Sequence, residues 1–106
     1  MMQDTSVGPD ERLVHRMAGG DEEALQTLHR RHSPSVYALA YGLLVDPAEA
    51  EEVVADTFAY AWRMASQFFI TANRSVFGWL NEVARSRARA VLQSREWPAR
   101  SETRLQ

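Results

Sequence analysis

Apolar side chains recur along this chain at three- and four-residue steps, the spacing that gathers them on one side of a helix. The clearest run is Ser75 to Glu96, SVFGWLNEVARSRARAVLQSRE, in which Val76, Trp79, Leu80, Val83, Ala84, Ala90 and Val91 form an inward stripe. Glu82, Arg85, Ser86, Arg89 and Gln93 fall on the opposite side at the same steps, so arginines and short polar groups share a wet strip about three turns long. A face of that kind suits a nucleic-acid surface and equally an ordinary solvated helix.

The same pattern predicts three helices upstream. Asp10 is placed to cap a short one over Glu11 to Met17, with Leu13, Val14 and Met17 inward and Ala18, Gly19 and Gly20 ending it. Asp21 caps a long second helix that opens on Glu22 and Glu23, acids that suit a helix amino end. Its inward positions are Ala24, Leu25, Leu28, His32, Val36, Leu39, Ala40, Leu43 and Leu44, and Pro34 predicts a kink or local break, with Ser33 able to cap the restart. Val45, Asp46 and Pro47 turn the chain into a third helix, from about Ala48 to Gln67. That helix has a core stripe of Ala50, Val53, Val54, Thr57, Phe58, Ala61, Trp62 and Ala65, and an outer face that begins acidic with Glu49, Glu51, Glu52 and Asp56. FFITANR, Phe68 to Arg74, breaks the period and is predicted as a connecting loop that Ser75 closes by capping the fourth helix. Residues 1–9 are expected to be a disordered arm, 10–95 the folded domain and 96–106, ending WPARSETRLQ, a tail or the start of a linker. No strand-like alternation or internal repeat is present, so the expected class is all-α: a compact bundle of four helices, the first of them short.

Composition narrows what such a bundle can do. With 106 residues, 45% of them hydrophobic, there is one core and no room for a second domain. The absence of cysteine excludes disulfides, thiolate chemistry and cysteine-ligated metal sites. No apolar run approaches the roughly 18 residues that span a bilayer. The amino terminus, MMQDTSVGPDER, lacks a basic leader followed by an apolar core, so neither export nor membrane insertion is expected and the cytoplasm is the expected compartment. The net charge of -2 hides an asymmetry: residues 1–60 hold eleven acids against four arginines, and residues 61–106 hold eight arginines against three acids. The basic end, which includes the fourth helix, suits an anionic partner. All twelve basic residues are arginine, a usage that a GC-rich genome produces by itself.

Several segments, in order, carry a resemblance. GDEEAL at the start of the second helix, DPAEAEEVV leading into DTF, the AW pair at Ala61 and Trp62, then FGWL and VAR in the fourth helix, resemble the second conserved domain of bacterial RNA polymerase sigma factors, specifically the extracytoplasmic-function (ECF) group. The resemblance covers about Arg12 to Gln93 and implies transcription initiation as the function, with no cofactor. By that resemblance the third helix would bind the clamp helices of the large subunit of core RNA polymerase, through Glu51, Glu52, Val54, Ala55, Asp56 and Thr57. The loop and the fourth helix would hold the single-stranded non-template strand of the promoter's minus-ten element, through Phe68, Phe69, Thr71, Asn73, Arg74, Arg85, Ser86, Arg87 and Arg89. An anti-sigma factor is the further partner it implies. The chemistry agrees: a flipped base needs a shaped or aromatic pocket with hydrogen bonds to its edge, and a strand backbone needs cations beside it.

The chain departs from the family pattern at three positions. Ala55 stands where the family usually has glutamine, Ser86 where it has asparagine and Ala90 where an aspartate is frequent. Serine cannot grip a base edge on two atoms as an amide can, so promoter preference is expected to differ or weaken. The family's second helical domain, which reads the minus-thirty-five element, does not follow here. The expectation is one domain of a longer protein, with a stand-alone interaction module that binds an anti-sigma factor as the alternative.

Blander roles remain open for some of these residues. Phe58, Trp62, Phe77 and Trp79 lie on or beside core stripes and are expected to pack, while Phe68 and Phe69 could either close the bundle or line a base pocket. His29 and His32 share one helix side without a third ligand, which gives no metal set, and the absence of an acid–base pair or a phosphate loop leaves no enzyme chemistry to expect.

Overall fold

The computed structural model describes residues 8–71 and 75–105, with side chains described for 8–68 and 75–95. Five helices follow one another: α1 (Pro9–Ala18), α2 (Glu22–Leu44), α3 (Pro47–Arg63), α4 (Ala65–Thr71) and α5 (Val76–Leu105). No strand occurs among the described residues. Helices α2, α3 and α5 pack against one another, while α1 lies against α2 and α4.

Local chemistry sets the helix ends. Gly8 takes the cap position of α1 with Pro9 as its first residue, so Asp10 stands inside the first turn rather than capping it. Freed from capping, Asp10 reaches across to α2, where its two oxygens meet Arg31 Nε at 2.8 Å and His32 Nε2 at 2.7 Å. At the other end of α1 the amide of Asp21 bonds to Arg16 O (3.0 Å) and that of Gly20 to Met17 O (2.9 Å). This paired closure requires a left-handed residue, and Gly20 supplies it at φ 93°. Asp21 then serves twice. Its Oδ1 accepts the amides of Glu23 and Ala24, starting α2, and its Oδ2 accepts Arg16 Nε at 2.9 Å. Arg16, with those two amides, holds the Asp21 carboxyl below its ordinary range.

Helix α2 runs unbroken through Pro34, against the expected kink or restart at Ser33. Pro34 and Arg30, whose carbonyl loses its partner, both face solvent, and buried Leu28 and Val36 hold the turns on either side. The helix ends at Val45, a β-branched residue in the left-handed region (φ 51°), after which Asp46 caps α3 by accepting the Glu49 amide at 2.9 Å.

The third helix is shorter than its hydrophobic pattern predicts. It stops at Met64, and a separate helix, α4, covers Ala65–Thr71, so Phe68 lies in a helical turn rather than a loop. Ala65 and Phe68 are three residues apart and both buried, and one turn of helix delivers both to the core. Helix α5 starts at the expected cap, with Ser75 Oγ accepting the Gly78 amide at 3.0 Å. Its backbone continues through 96–105, the stretch expected as a tail.

Most inward stripes stand as expected, with Leu25, Leu39, Trp62, Val83 and Val91 half-buried against the core and His32 half-buried beside Asp10. Leu43 and Phe77 are exposed instead (39% and 47%), and Ala90 faces solvent while Ala88 is fully buried. Alanine carries too little apolar area for its burial to be legible from pattern alone.

Candidate partner-binding surfaces

Helix α3 offers two outer sides, and they divide the residues expected to meet polymerase. Glu51, Val54 and Ala55 line a groove shared with His29, Ser33, Pro34 and Tyr37 of α2, a surface that is mainly apolar. His29 is seated there by its ring contact with Phe58, 4.8 Å between centroids. Tyr37 stacks on Tyr41 at 6.0 Å, one helical turn further along α2, so the aromatic surface runs on beyond the groove. Glu52 and Asp56 lie on the other side of α3, in a hollow shared with Glu49 and with Arg87, Ser94 and Arg95 of α5. Thr57 belongs to neither side. It is fully buried and its hydroxyl donates to Val53 O at 2.7 Å, so the residue expected at a partner surface is a core residue with its polar atom satisfied inside α3.

The acidic start of α3 is partly spoken for within the fold. Arg95 of α5 pairs with Glu49 and donates to Leu44 O at 2.8 Å, covering the carboxyl end of α2. The Glu49 carboxylate pushes Arg95 further up from its already high value. Glu51, Glu52 and Asp56 remain exposed.

Helix α5 holds the second surface. Glu82, Arg85, Ser86, Arg89, Ala90 and Gln93 line one concavity, the strip that the sequence period implies. Arg85 and Arg89 are exposed, and neither has a carboxylate in salt-bridge reach among the described residues. Arg87 points elsewhere: its guanidinium lies over the ring of Tyr60 of α3, 5.6 Å from the centroid. The sequence period could have separated it, since residues 85 and 87 do not share a helix side.

The aromatic residues expected near the promoter are divided as well. Phe68 is buried (4%) with its ring 4.8 Å from that of Trp79, so it closes the bundle rather than lining an open pocket. The side chains of Phe69 and Thr71, and all of Asn73 and Arg74, lie outside the described residues. Two residues that sequence reasoning passed over are Tyr60 and Arg63, whose guanidinium stands 5.7 Å from the Tyr60 centroid. Their signal was the outward series Glu52, Asp56, Tyr60, Arg63 at helical steps. No group of residues able to hold a metal occurs among the described residues, and no helix there is long and apolar enough to cross a membrane.

A family model, that of sigma-70 region 2, matches residues 28–97. The chain belongs to this family. The match runs from α2 through most of α5, so both surfaces lie within the sigma-70 region 2 part of the chain. The domain is similar to the ECF RNA polymerase sigma factor SigK of Mycobacterium tuberculosis, 33% identical over 76 residues, which is 72% of this chain and 40% of that protein. SigK of Mycobacterium bovis is similar to the same extent. The RNA polymerase sigma factor NccH of Alcaligenes xylosoxydans xylosoxydans is 30% identical over 95 residues, 90% of this chain and 49% of that one. The chain therefore spans less than half the length of the curated relatives it matches. No solved structure matches it.

Proposed function

We propose that this sigma-70 region 2 domain works in transcription initiation, binding core RNA polymerase through α3 and the α2–α3 groove and the single-stranded minus-ten element through the exposed face of α5. The observation that supports this best is the exposed pair Arg85 and Arg89, free of carboxylate partners among the described residues and flanking Ser86 in one concavity. Cations that no carboxylate pairs in salt-bridge reach are available to phosphates, and a strand held there would bring its base edges near Ser86.

The polymerase side has different support. A mainly apolar groove bordered by Glu51 and floored by Val54 suits a helix of a protein partner better than a nucleic acid. Ala55 is exposed at its edge, where a glutamine amide would add both reach and hydrogen bonds. The test is to mix the domain with core polymerase, with and without Ala55→Gln. Complex formation is expected for both, tighter for the glutamine variant.

Failure of both versions would favour the alternative, an interaction module whose groove is taken by an anti-sigma factor. A minus-ten oligonucleotide compared with a scrambled one separates the same readings at the DNA surface. Selective binding is expected, and equally weak binding of both strands would remove promoter reading from the domain.

A further inference from the structure

The charged side of α3 does not end with its acids. Past Glu52 and Asp56, the same side carries Tyr60 and Arg63, and α5 lays Arg87 against the same ring. Two guanidiniums thus stand 5.7 and 5.6 Å from one ring centroid, and among the described residues neither forms a salt bridge. The ring face attracts each cation without neutralising it, so each guanidinium keeps its charge and its N–H donors. A phosphate that met either guanidinium would find a cation that no carboxylate pairs in salt-bridge reach among the described residues.

We infer that Arg63 and Arg87, positioned by Tyr60, form a binding site for a backbone phosphate of single-stranded nucleic acid, extending the strand's path from α5 onto the end of α3. This rests on the α5 strip binding a strand as proposed above. Continuity supports it: Ser86 and Glu82 line both the α5 concavity and the hollow that holds Tyr60, Trp79, Val83 and Arg87. Glu52 and Asp56, which share the next hollow with Arg87, would repel a phosphodiester and so set the limit of the strand's path on that side. An acidic protein segment is the competing occupant. Nucleic acid is favoured because the hollow of Arg87 and Tyr60 is continuous with Arg85 and Arg89 through Ser86, and Arg63 adjoins it at the Tyr60 ring.

The experiment is fluorescence anisotropy of a labelled single-stranded thymidine oligonucleotide with the 106-residue chain, titrated over a series of salt concentrations. Arg63→Ala, and the bulk-preserving Arg63→Gln, should each lower the log–log salt slope by about 0.7, the value for one phosphate contact on a single strand. At about 0.1 M salt that is about a five-fold loss of affinity. Tyr60→Leu should weaken binding although both charges remain, and Tyr60→Phe, which keeps the ring, should restore it. Wild-type affinity and slope for both Arg63 variants, with binding lost in an Arg85→Ala/Arg89→Ala double variant, would overturn the inference and leave the α5 surface standing. A double variant that binds as wild type would instead remove the α5 reading on which the inference rests. Arg63-dependent binding of a polyglutamate peptide, without Arg63-dependence for the oligonucleotide, would assign the site to a protein partner and also overturn it.

Discussion

The groove between α2 and α3 and the strip along α5 sit on one small bundle and are built on opposite principles. The groove is concave and mainly apolar, with one acid at its border and aromatic rings continuing from Tyr37 to Tyr41. The strip is mainly polar, and although Glu82 lines it too, no carboxylate comes within salt-bridge reach of its exposed Arg85 and Arg89 among the described residues. Burial of apolar area rewards a shaped protein partner, whereas unpaired cations reward a polyanion and make its affinity depend on salt. The comparison teaches that one core built from all five helices can present two surfaces suited to partners of different physics, so each should be alterable without the other.

The largest expected effect erases the comparison altogether. Trp79 is buried (7%) between Phe68 and Tyr60, at ring separations of 4.8 and 6.5 Å, and Trp79→Ala should cost about 3–5 kcal/mol. Urea denaturation followed by circular dichroism measures this, and both proposed binding activities should fall together with the fold. A loss of under about 1 kcal/mol would show that the ring is not a core element.

Next is the double variant Arg85→Ala/Arg89→Ala, which should separate the two surfaces. If Arg85 and Arg89 make the two phosphate contacts proposed for them, the single-strand salt slope should fall by about 1.4, or about 25-fold in affinity near 0.1 M salt. Polymerase binding and the urea midpoint should stay at wild-type values. Equal losses in both binding assays would mean that the strip and the groove are one surface.

Val45→Gly addresses stability without touching either surface. Val45 is exposed (69%) at φ 51°, a region that costs a β-branched residue about 1–2 kcal/mol and glycine almost nothing. Glycine's greater freedom in the unfolded chain takes back part of that, which leaves a stabilisation of about 0.5–1 kcal/mol in a urea melt. A lower midpoint would refute the strain.

The smallest effect concerns Asp21. Asparagine keeps the capping acceptor but loses the charge that Arg16 meets. Because the folded carboxyl titrates below its ordinary value of 3.8, its contribution is fully present above that value and disappears as pH falls through the lower folded one. Asp21→Asn should therefore melt slightly lower than wild type at neutral pH, with the two melting temperatures converging in strong acid. A constant difference across that range would contradict the pairing.

Much of this molecule was legible in its residues. The caps at Asp21, Asp46 and Ser75, the glycine closure after α1 and the separation of Arg85, Ser86 and Arg89 from the core all follow from local chemistry and helical period. These features involve residues within a few positions of one another, where spacing and geometry are nearly the same thing. What period could not provide was which helix faces which. Thr57 and Val54 are three apart, yet the first is enclosed by the fold and the second floors a groove, a distinction made by α2 and α5 rather than by α3.

The long-range pairs were decided only by tertiary structure. Asp10 reaches Arg31 and His32 because α1 crosses α2, Arg95 caps the end of α2 because α5 passes the α2–α3 turn, and Arg87 leaves the strip because Tyr60 of α3 is within reach of its guanidinium. Charge pairing depends on distance across the fold, and a linear pattern contains no such distance. The sequence by itself determined α1, α2, α3 and α5, the starting caps of α2, α3 and α5 and a basic face on α5, but not the separate helix α4 or the Gly8 cap of α1. The packing of those helices decided which charges are neutralised inside the domain and which are left for a partner.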